Sequence, residues 1–251
     1  MPNEPQCYYC SGMKFYGDQI PLKPYASLKA PTLFLGLYFE SDYQAFKIHQ
    51  GKRVVFWNGS DVIRLCQNSK WADIVRKVDA THYCHNTQLK HELEDEGIDS
   101  TVKPVFFGYK KDYKVCYKHS ETPKVFMCSH PERDAEYGVN MMQEIAADMK
   151  DIEFHVYGVR GMGTDNVIFH GQVPEEKMDE EMKGYQGCLR MNKHDGVSQI
   201  VLKSEMMGLY PIVSYNSEDI KAELNNLKKN KEAFLTDLSE VIDMDNINSL
   251  M

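Results

Sequence analysis

Short β-prone runs alternate with longer segments of helical periodicity along almost the whole chain, and no other feature restricts the fold as much. Strand-like runs occupy residues 31–39, 52–57, 80–84 and 101–107, then 124–128, 152–157, 167–170, 188–191 and 210–215. Helical segments fall between them at 41–50, 71–78, 86–97, 134–150, 174–184 and 197–207, several closed by a glycine. Parallel strands need a crossover connection, and helices that cross over cover both faces of the sheet. The chain therefore reads as α/β.

The alternation breaks once. Residues 108–123, GYKKDYKVCYKHSETP, are basic, tyrosine-rich and without clear periodicity, which marks a connection between two domains. The expected division is an N-terminal domain over 1–118 and a C-terminal domain over 119–231, each a Rossmann-like parallel sheet. A length of 251 residues is comfortable for two small domains. Residues 218–244 read as one or two charged helices, with apolar side chains at Ile220, Leu224, Leu227, Phe234, Leu235 and Leu238. The stretch from about 232 to 251 is expected to pack back on the first domain or to serve a homodimer. Two tandem sheets of this kind are expected to face each other across a cleft, with ligands outside the carboxyl ends of the strands.

Composition narrows the function. The net charge of −8 argues against a general nucleic-acid binder. No apolar run reaches transmembrane length, and MPNEPQCYYC lacks a signal peptide's basic and apolar regions, so a cytoplasmic location is expected. The seven cysteines are odd in number and scattered. Cys7 and Cys10 form a CxxC, yet no second pair follows at zinc-ribbon spacing and no strand is expected before it. His82 and Cys84 would share one face of a strand and His85 the other, which makes a poor metal site. GxGxxG is missing after the first strand and GxxxxGK[ST] is missing throughout, so nicotinamide enzymes and Walker-type nucleotidases lose their main signature.

Residues 193–215, KHDGVSQIVLKSEMMGLYPIVSY, combine a polar turn, a helical stretch, a glycine stop at Gly208 and a β-prone run. A helix start directs unpaired amides and partial positive charge at whatever precedes it, and phosphate is a frequent guest. Two more segments run from a strand-like stretch into a turn that precedes a helix. One is Val125-Phe126-Met127-Cys128-Ser129-His130 with Arg133 and Gly138 beyond it; the other is Asn166-Val167-Ile168-Phe169-His170-Gly171-Gln172-Val173-Pro174.

These three blocks, in this order, resemble the donor domain of retaining GT-B glycosyltransferases, specifically glycosyltransferase family 4, with HDG in place of the commoner EG(F)G. The resemblance covers about half of the chain. The N-terminal half is weakly similar, through Trp57-Asn58-Gly59-Ser60-Asp61, to an acceptor-domain loop. The resemblance implies a metal-independent hexosyltransferase, with a nucleotide sugar as substrate and no further cofactor. GDP-mannose is favoured over UDP-glucose, and the acceptor is a glycan or protein-linked sugar. It implies that Asp195 accepts hydrogen bonds from the sugar, that Arg133 and Lys203 supply charge to the diphosphate, and that the amides of Gly196, Val197 and Ser198 add a helix-terminus field. His130, Gly171, Gln172, Val173, His194, Gln199 and Glu205 complete the donor site, and Asn58, Gly59, Ser60 and Asp61 lie on the acceptor side.

The chain departs from the family in two places. The family carries two glutamates separated by seven residues; here the first is Asp195 and the second position holds Lys203. Glu205, two residues on, points about 200° away around a helix. The family's lysine in the first block is Tyr137. These departures leave room for a non-catalytic nucleotide-sugar-binding protein of the same fold, or a nucleotide-sugar epimerase.

Overall fold

Every side chain of the run Thr32–Leu35 is buried, and so are four of the five in Arg53–Trp57, as strands at the centre of a parallel sheet require. The computed structural model describes residues 4–251 and divides into two units. The first comprises Met1–Lys110, Asp195–Val197 and Leu238–Met251; the second comprises Lys111–His194 and Ser198–Asp237. No helix among the described residues is long and apolar enough to cross a membrane.

The first unit holds β1 (Gln6–Tyr8), β2 (Lys23–Pro24), β3 (Thr32–Leu35), β4 (Arg53–Trp57), β5 (Thr81–Cys84) and β6 (Thr101–Val102), all parallel, in the order β2-β1-β3-β4-β5-β6. Its helices are α1 (Lys14–Gly17), α2 (Glu40–Ile48), α3 (Ser60–Cys66), α4 (Ser69–Lys77) and α5 (Thr87–Asp95). Alternation along the strands divides the core. Phe34, Val55 and Trp57 face the layer of α2 to α5, with Tyr43, Phe46, Leu65, Val75 and Leu89. Leu33, Leu35, Val54 and Phe56 face the other way, onto Ile242, Met244, Ile247 and Leu250 from the end of the chain.

The second unit holds β7 (Lys124–Cys128), β8 (Glu153–Tyr157), β9 (Val167–Gly171), β10 (Gly187–Arg190) and β11 (Tyr210–Val213), again all parallel, in the order β11-β10-β7-β8-β9. Helices α6 (Val139–Asp148) and α9 (Ser217–Lys229) cover Val125, Met127, Phe154, Val156 and Leu189. Helices α7 (Glu175–Met182) and α8 (Gln199–Met206) cover Phe126, Tyr157 and Cys188.

Several expected elements differ. The CxxC does not precede the first strand: Cys7 lies within β1, too short at three residues to show a period. The run 101–107 is a strand only over Thr101–Val102, because Pro104 lacks an N–H; past it the Pro104 carbonyl accepts from Ile242 N and Phe106 N donates to the Ile242 carbonyl. Helix 134–150 starts only at Val139, after Gly138 at φ 77°. The long helix over 218–244 ends at Lys229. Asn230 closes it, and the rest, including the stretch 232–251, is irregular apart from a 3-10 turn at Ile247–Leu250.

Candidate functional site

In the second sheet the chain runs outward through β7, β8 and β9, then returns to lay β10 on the other side of β7. Ligands of open α/β sheets bind outside the carboxyl ends at such a reversal. Ser129 follows β7 and Asn192 lies just past β10. Ser129 Oγ and Asn192 Oδ1 are both shut off from solvent without a hydrogen-bond partner. Leaving a buried polar atom unmet costs about 1–3 kcal/mol, so two at one edge mark a place that a ligand or water completes.

Charge gathers at the same edge. The Arg190 guanidinium, from the end of β10, lies 4.8 Å from the centre of the Tyr137 ring, and that of Arg133 lies 5.8 Å from it. Arg133 also donates to Glu136 from Nε at 2.8 Å and Nη2 at 2.5 Å, a half-exposed pair. Burial pushes the Cys128 thiol, at the end of β7, up to about 12, and Arg190 and Lys203 pull it back. Ser129 N donates to the Tyr157 carbonyl at 2.9 Å and Gly158 N to the Gly171 carbonyl at 2.7 Å, so the ends of β7, β8 and β9 are laced together. A side chain at Gly158, φ 88°, would collide with the Ser129 carbonyl.

The residues expected to bind a donor are distributed unevenly. Lys203 is buried, with Nζ 2.5 Å from Glu175 and 2.9 Å from Asp179, and 5.5 Å from the ring centre of Tyr113, whose hydroxyl also bonds Asp179. Burial works against its charge, but Glu175 and Asp179 more than offset this and hold it protonated well above the usual lysine range. Glu205 is half-buried, and burial raises its pKa. His130 is exposed, and its Nδ1 accepts from Glu132 N at 3.2 Å. Gly171 has φ 69°, Gln172 is exposed, and Val173 packs on the cluster beneath α7.

The helix expected from Val197 begins two residues later. Ser198 is its N-cap, whose carbonyl accepts from Val201 N and Leu202 N. The amides of Gly196 and Val197 therefore lie outside the helix, and the terminal field belongs to Gln199 onward. Asp195, Gly196 and Val197 group with the first unit, whereas His194, Ser198 and Gln199 group with the second.

In the first unit, Asn58, Gly59, Ser60 and Asp61 form the turn from β4 into α3. Asp61 is fully buried, and its carboxylate accepts from the backbone amides of Asn58 (3.0 Å), Gly59 (2.7 Å) and Val62 (3.0 Å). Burial pushes its pKa up to about 6, against the pull of those amides. Gly196 presses on this turn: a Cβ there would sit on the Asn58 carbonyl and 2.9 Å from Cδ2 of buried His85. Asn86 caps α5 through Oδ1, which accepts from Leu89 N, while its Nδ2 donates to the carbonyls of Asp195 and Gly196, both at 2.9 Å. The chain's one Asp-x-Asp pair, Asp243 and Asp245, lies in the C-terminal segment. Asp243 is buried and accepts from Lys110 N at 3.0 Å.

Reading the sequence put Ser129 in the first block without a role and missed Asn192 and Arg190, because their place depends on which strands are neighbours. It also missed a polar chain behind the edge, Glu153, His155, Tyr157, His170 and Glu181. Its one legible sign is that Glu153, His155 and Tyr157 recur at every second position of a strand.

Two tandem parallel sheets with helices packed on them define the class: a two-domain Rossmann-like fold. The solved structures that share it with this chain include GT-B glycosyltransferases. HepE from Anabaena, in complex with UDP-glucose, matches with a TM-score of 0.63 at 10% identity, over 86% of this chain and 76% of that one. Sucrose-phosphate synthase from Thermosynechococcus elongatus gives 0.60 at 8% identity, over 82% and 66%. TarM gives 0.54 at 10%, over 86% and 51%, so the chain spans about half the length of that protein. The S. aureus TarM has also been solved with UDP. No protein-family model and no curated protein sequence matches the chain.

Proposed function

We propose that the chain moves a hexose from a nucleotide-diphosphate sugar to a hydroxyl of a glycan or protein-linked sugar, with retention of configuration and without a metal. The observation that carries this reading is the pair of unmet buried atoms, Ser129 Oγ and Asn192 Oδ1, flanking the reversal between β7 and β10. Breaking the anomeric carbon–oxygen bond leaves negative charge on the diphosphate, and fixed donors in a site that excludes water stabilise it most. Arg190 brings a planar guanidinium suited to two phosphate oxygens, steadied by the Tyr137 ring. Ser129 and Asn192 match hydroxyls, which donate and accept. HepE and TarM have been solved with UDP, which supports UDP-glucose as the first donor to test and GDP-mannose as the second.

Calorimetry with UDP, GDP and their sugars tests the reading. One of them is expected to bind, and Arg190→Gln to weaken it at least ~10-fold, about 1.4 kcal/mol. No heat from any of them at millimolar concentration would end the proposal. A second reading, a binding protein without catalysis, draws support from Lys203, whose charge is taken up by Glu175 and Asp179 where the resemblance implies a ribose-binding carboxylate. Donor hydrolysis or transfer that disappears in Asp195→Ala excludes it.

A further inference from the structure

The ladder between β8 and β9 is irregular at its carboxyl end: Val156 pairs with Phe169 and Tyr157 with Gly171, so His170 is the extra residue of a bulge. Bulges re-aim side chains and are over-represented beside functional sites. Here the bulge brings the His170 ring onto the face of β8 that carries His155 and Tyr157. The His170 ring stacks on Tyr157 at 4.3 Å and 7°, and lies edge to edge with His155, nearly coplanar at 20° with ring centres 5.1 Å apart.

The hydrogen bonds fix where the protons are. His155 Nε2 is 2.6 Å from Glu153 Oε1, and Lys124, 2.8 Å from the same carboxylate, helps hold it ionised. A carboxylate only accepts, so His155 carries its proton on Nε2 and its Nδ1 is a lone pair. His155 Nδ1 is 2.8 Å from His170 Nε2, which must then donate. His170 Nδ1 is left facing Glu181 Oε2 at 4.0 Å. The Glu181 carboxylate also accepts from the Tyr157 hydroxyl at 2.5 Å and lies 3.5 Å from Lys177, and Tyr157 in turn shares a hydrogen bond with Tyr185, whose ring meets His155 edge-on at 4.8 Å.

One proton can enter this chain without damage, at His170 Nδ1, where it meets Glu181. A second has only His155 Nδ1 to bind, and there it sets N–H against N–H and breaks the bond between the rings. That bond holds the bulged residue, and Gly171, Gln172 and Val173 follow it directly. We infer that His155 and His170 form a one-proton switch that positions the turn Gly171–Val173, and that the second proton releases the turn and weakens nucleotide binding. This rests on the nucleotide reading proposed above. Burial lowers the pKa of both rings, which places the second protonation on the acid side.

Two measurements on the whole chain test the switch. Nitrogen-15 NMR of the histidine rings, with no ligand, is expected to show His155 as the Nε2–H tautomer that gains a second proton only after His170 has done so. Independent titration of the two rings overturns the inference. Affinity for UDP and GDP is then compared between pH 7.5 and 5 in wild type and His155→Gln, whose amide can donate to Glu153 and accept from His170 without titrating. The wild type is expected to lose at least ~10-fold more affinity on acidification than the variant, since the nucleotide's own titration is common to both. Equal losses overturn the inference. Absence of binding at every pH defeats the nucleotide reading and leaves the ring titration to judge the switch alone.

Discussion

The carboxyl ends of the two sheets differ in how far they satisfy their own polar groups. In the first unit, three backbone amides converge on the buried carboxylate of Asp61 and Gly196 closes over the turn, where one atom, Asn58 Oδ1, is buried and unmet. In the second, Ser129 Oγ and Asn192 Oδ1 are buried and unmet, with Arg190 close by. A satisfied cluster holds a chain in place, and an unsatisfied one is completed by something else. The first edge chiefly holds its own turn, and the second, with two unmet atoms near a guanidinium, is where a ligand is expected.

The sharpest break of that contrast is Asp61→Ala. It strands the amides of Asn58 and Gly59, Val62 N keeping the Gly59 carbonyl, so at about 1–3 kcal/mol each a loss of roughly 2–6 kcal/mol is expected in denaturant titration. A loss under about 1 kcal/mol would show that the turn is not scaffold.

Acid tests the same unit. Burial pushes His85 down to about 3 and His82 down to about 4. The unfolded chain takes up these protons first, near pH ~6.5. The stability they hold is therefore full above that pH and drains as pH falls through about 4 and then about 3. Asp61 runs the other way: its contribution is full below about pH 4 and is lost as pH rises through its folded value of about 6. The histidines dominate. Between about pH 6.5 and about pH 4 a loss of several kcal/mol is expected, at roughly 1.4 kcal/mol for every pH unit that separates folded from unfolded titration. His85→Gln should flatten that limb in unfolding curves recorded against pH.

Lys203 yields an effect of middle size. Lys203→Glu sets a carboxylate against Glu175 and Asp179 and should cost about 3–5 kcal/mol, whereas Lys203→Met, which leaves those two partly exposed carboxylates without their cation, should cost less, about 1–3 kcal/mol. A gain of nucleotide affinity in Lys203→Glu would return this position to ribose binding. The smallest stability change belongs to Ser129→Ala and Asn192→Ala, within about 1 kcal/mol of wild type because no bond is lost. Their nucleotide affinity should nevertheless fall about tenfold. Variants that lose stability and keep affinity would reverse the roles assigned to the two edges.

Much of this organisation was legible in the residues. The alternation located the central strands to within a few positions, since runs such as Val54–Trp57 are apolar on both faces and suit only a buried strand. The short β1 and β2 fell below the length at which a period shows. The Lys203 pair was not legible, because Glu175 and Asp179 stand more than twenty positions away and a helical period tells which face is buried and not what it meets. The unmet atoms of Ser129 and Asn192 depended on strand order, which the crossover from β9 back to β10 sets. The HDG segment was found, yet the break at Ser198, which sends Asp195–Val197 to the first unit, follows from contacts with Asn58 and Asn86 far upstream.

The layer formed by Ile242, Met244, Ile247 and Leu250 has a consequence for how the chain comes into being. Residues 111–237 supply nearly all of the second unit and emerge from the ribosome before the first unit has its final face. Until residues 238–251 are made, the face of the sheet that carries Leu33, Leu35, Val54 and Phe56 lacks that cover, while the opposite face is already packed. Residues up to 110 precede the second unit in synthesis but gain this cover after it, and a chain cut after Asp237 should expose that apolar face to a hydrophobic dye while its second unit remains folded.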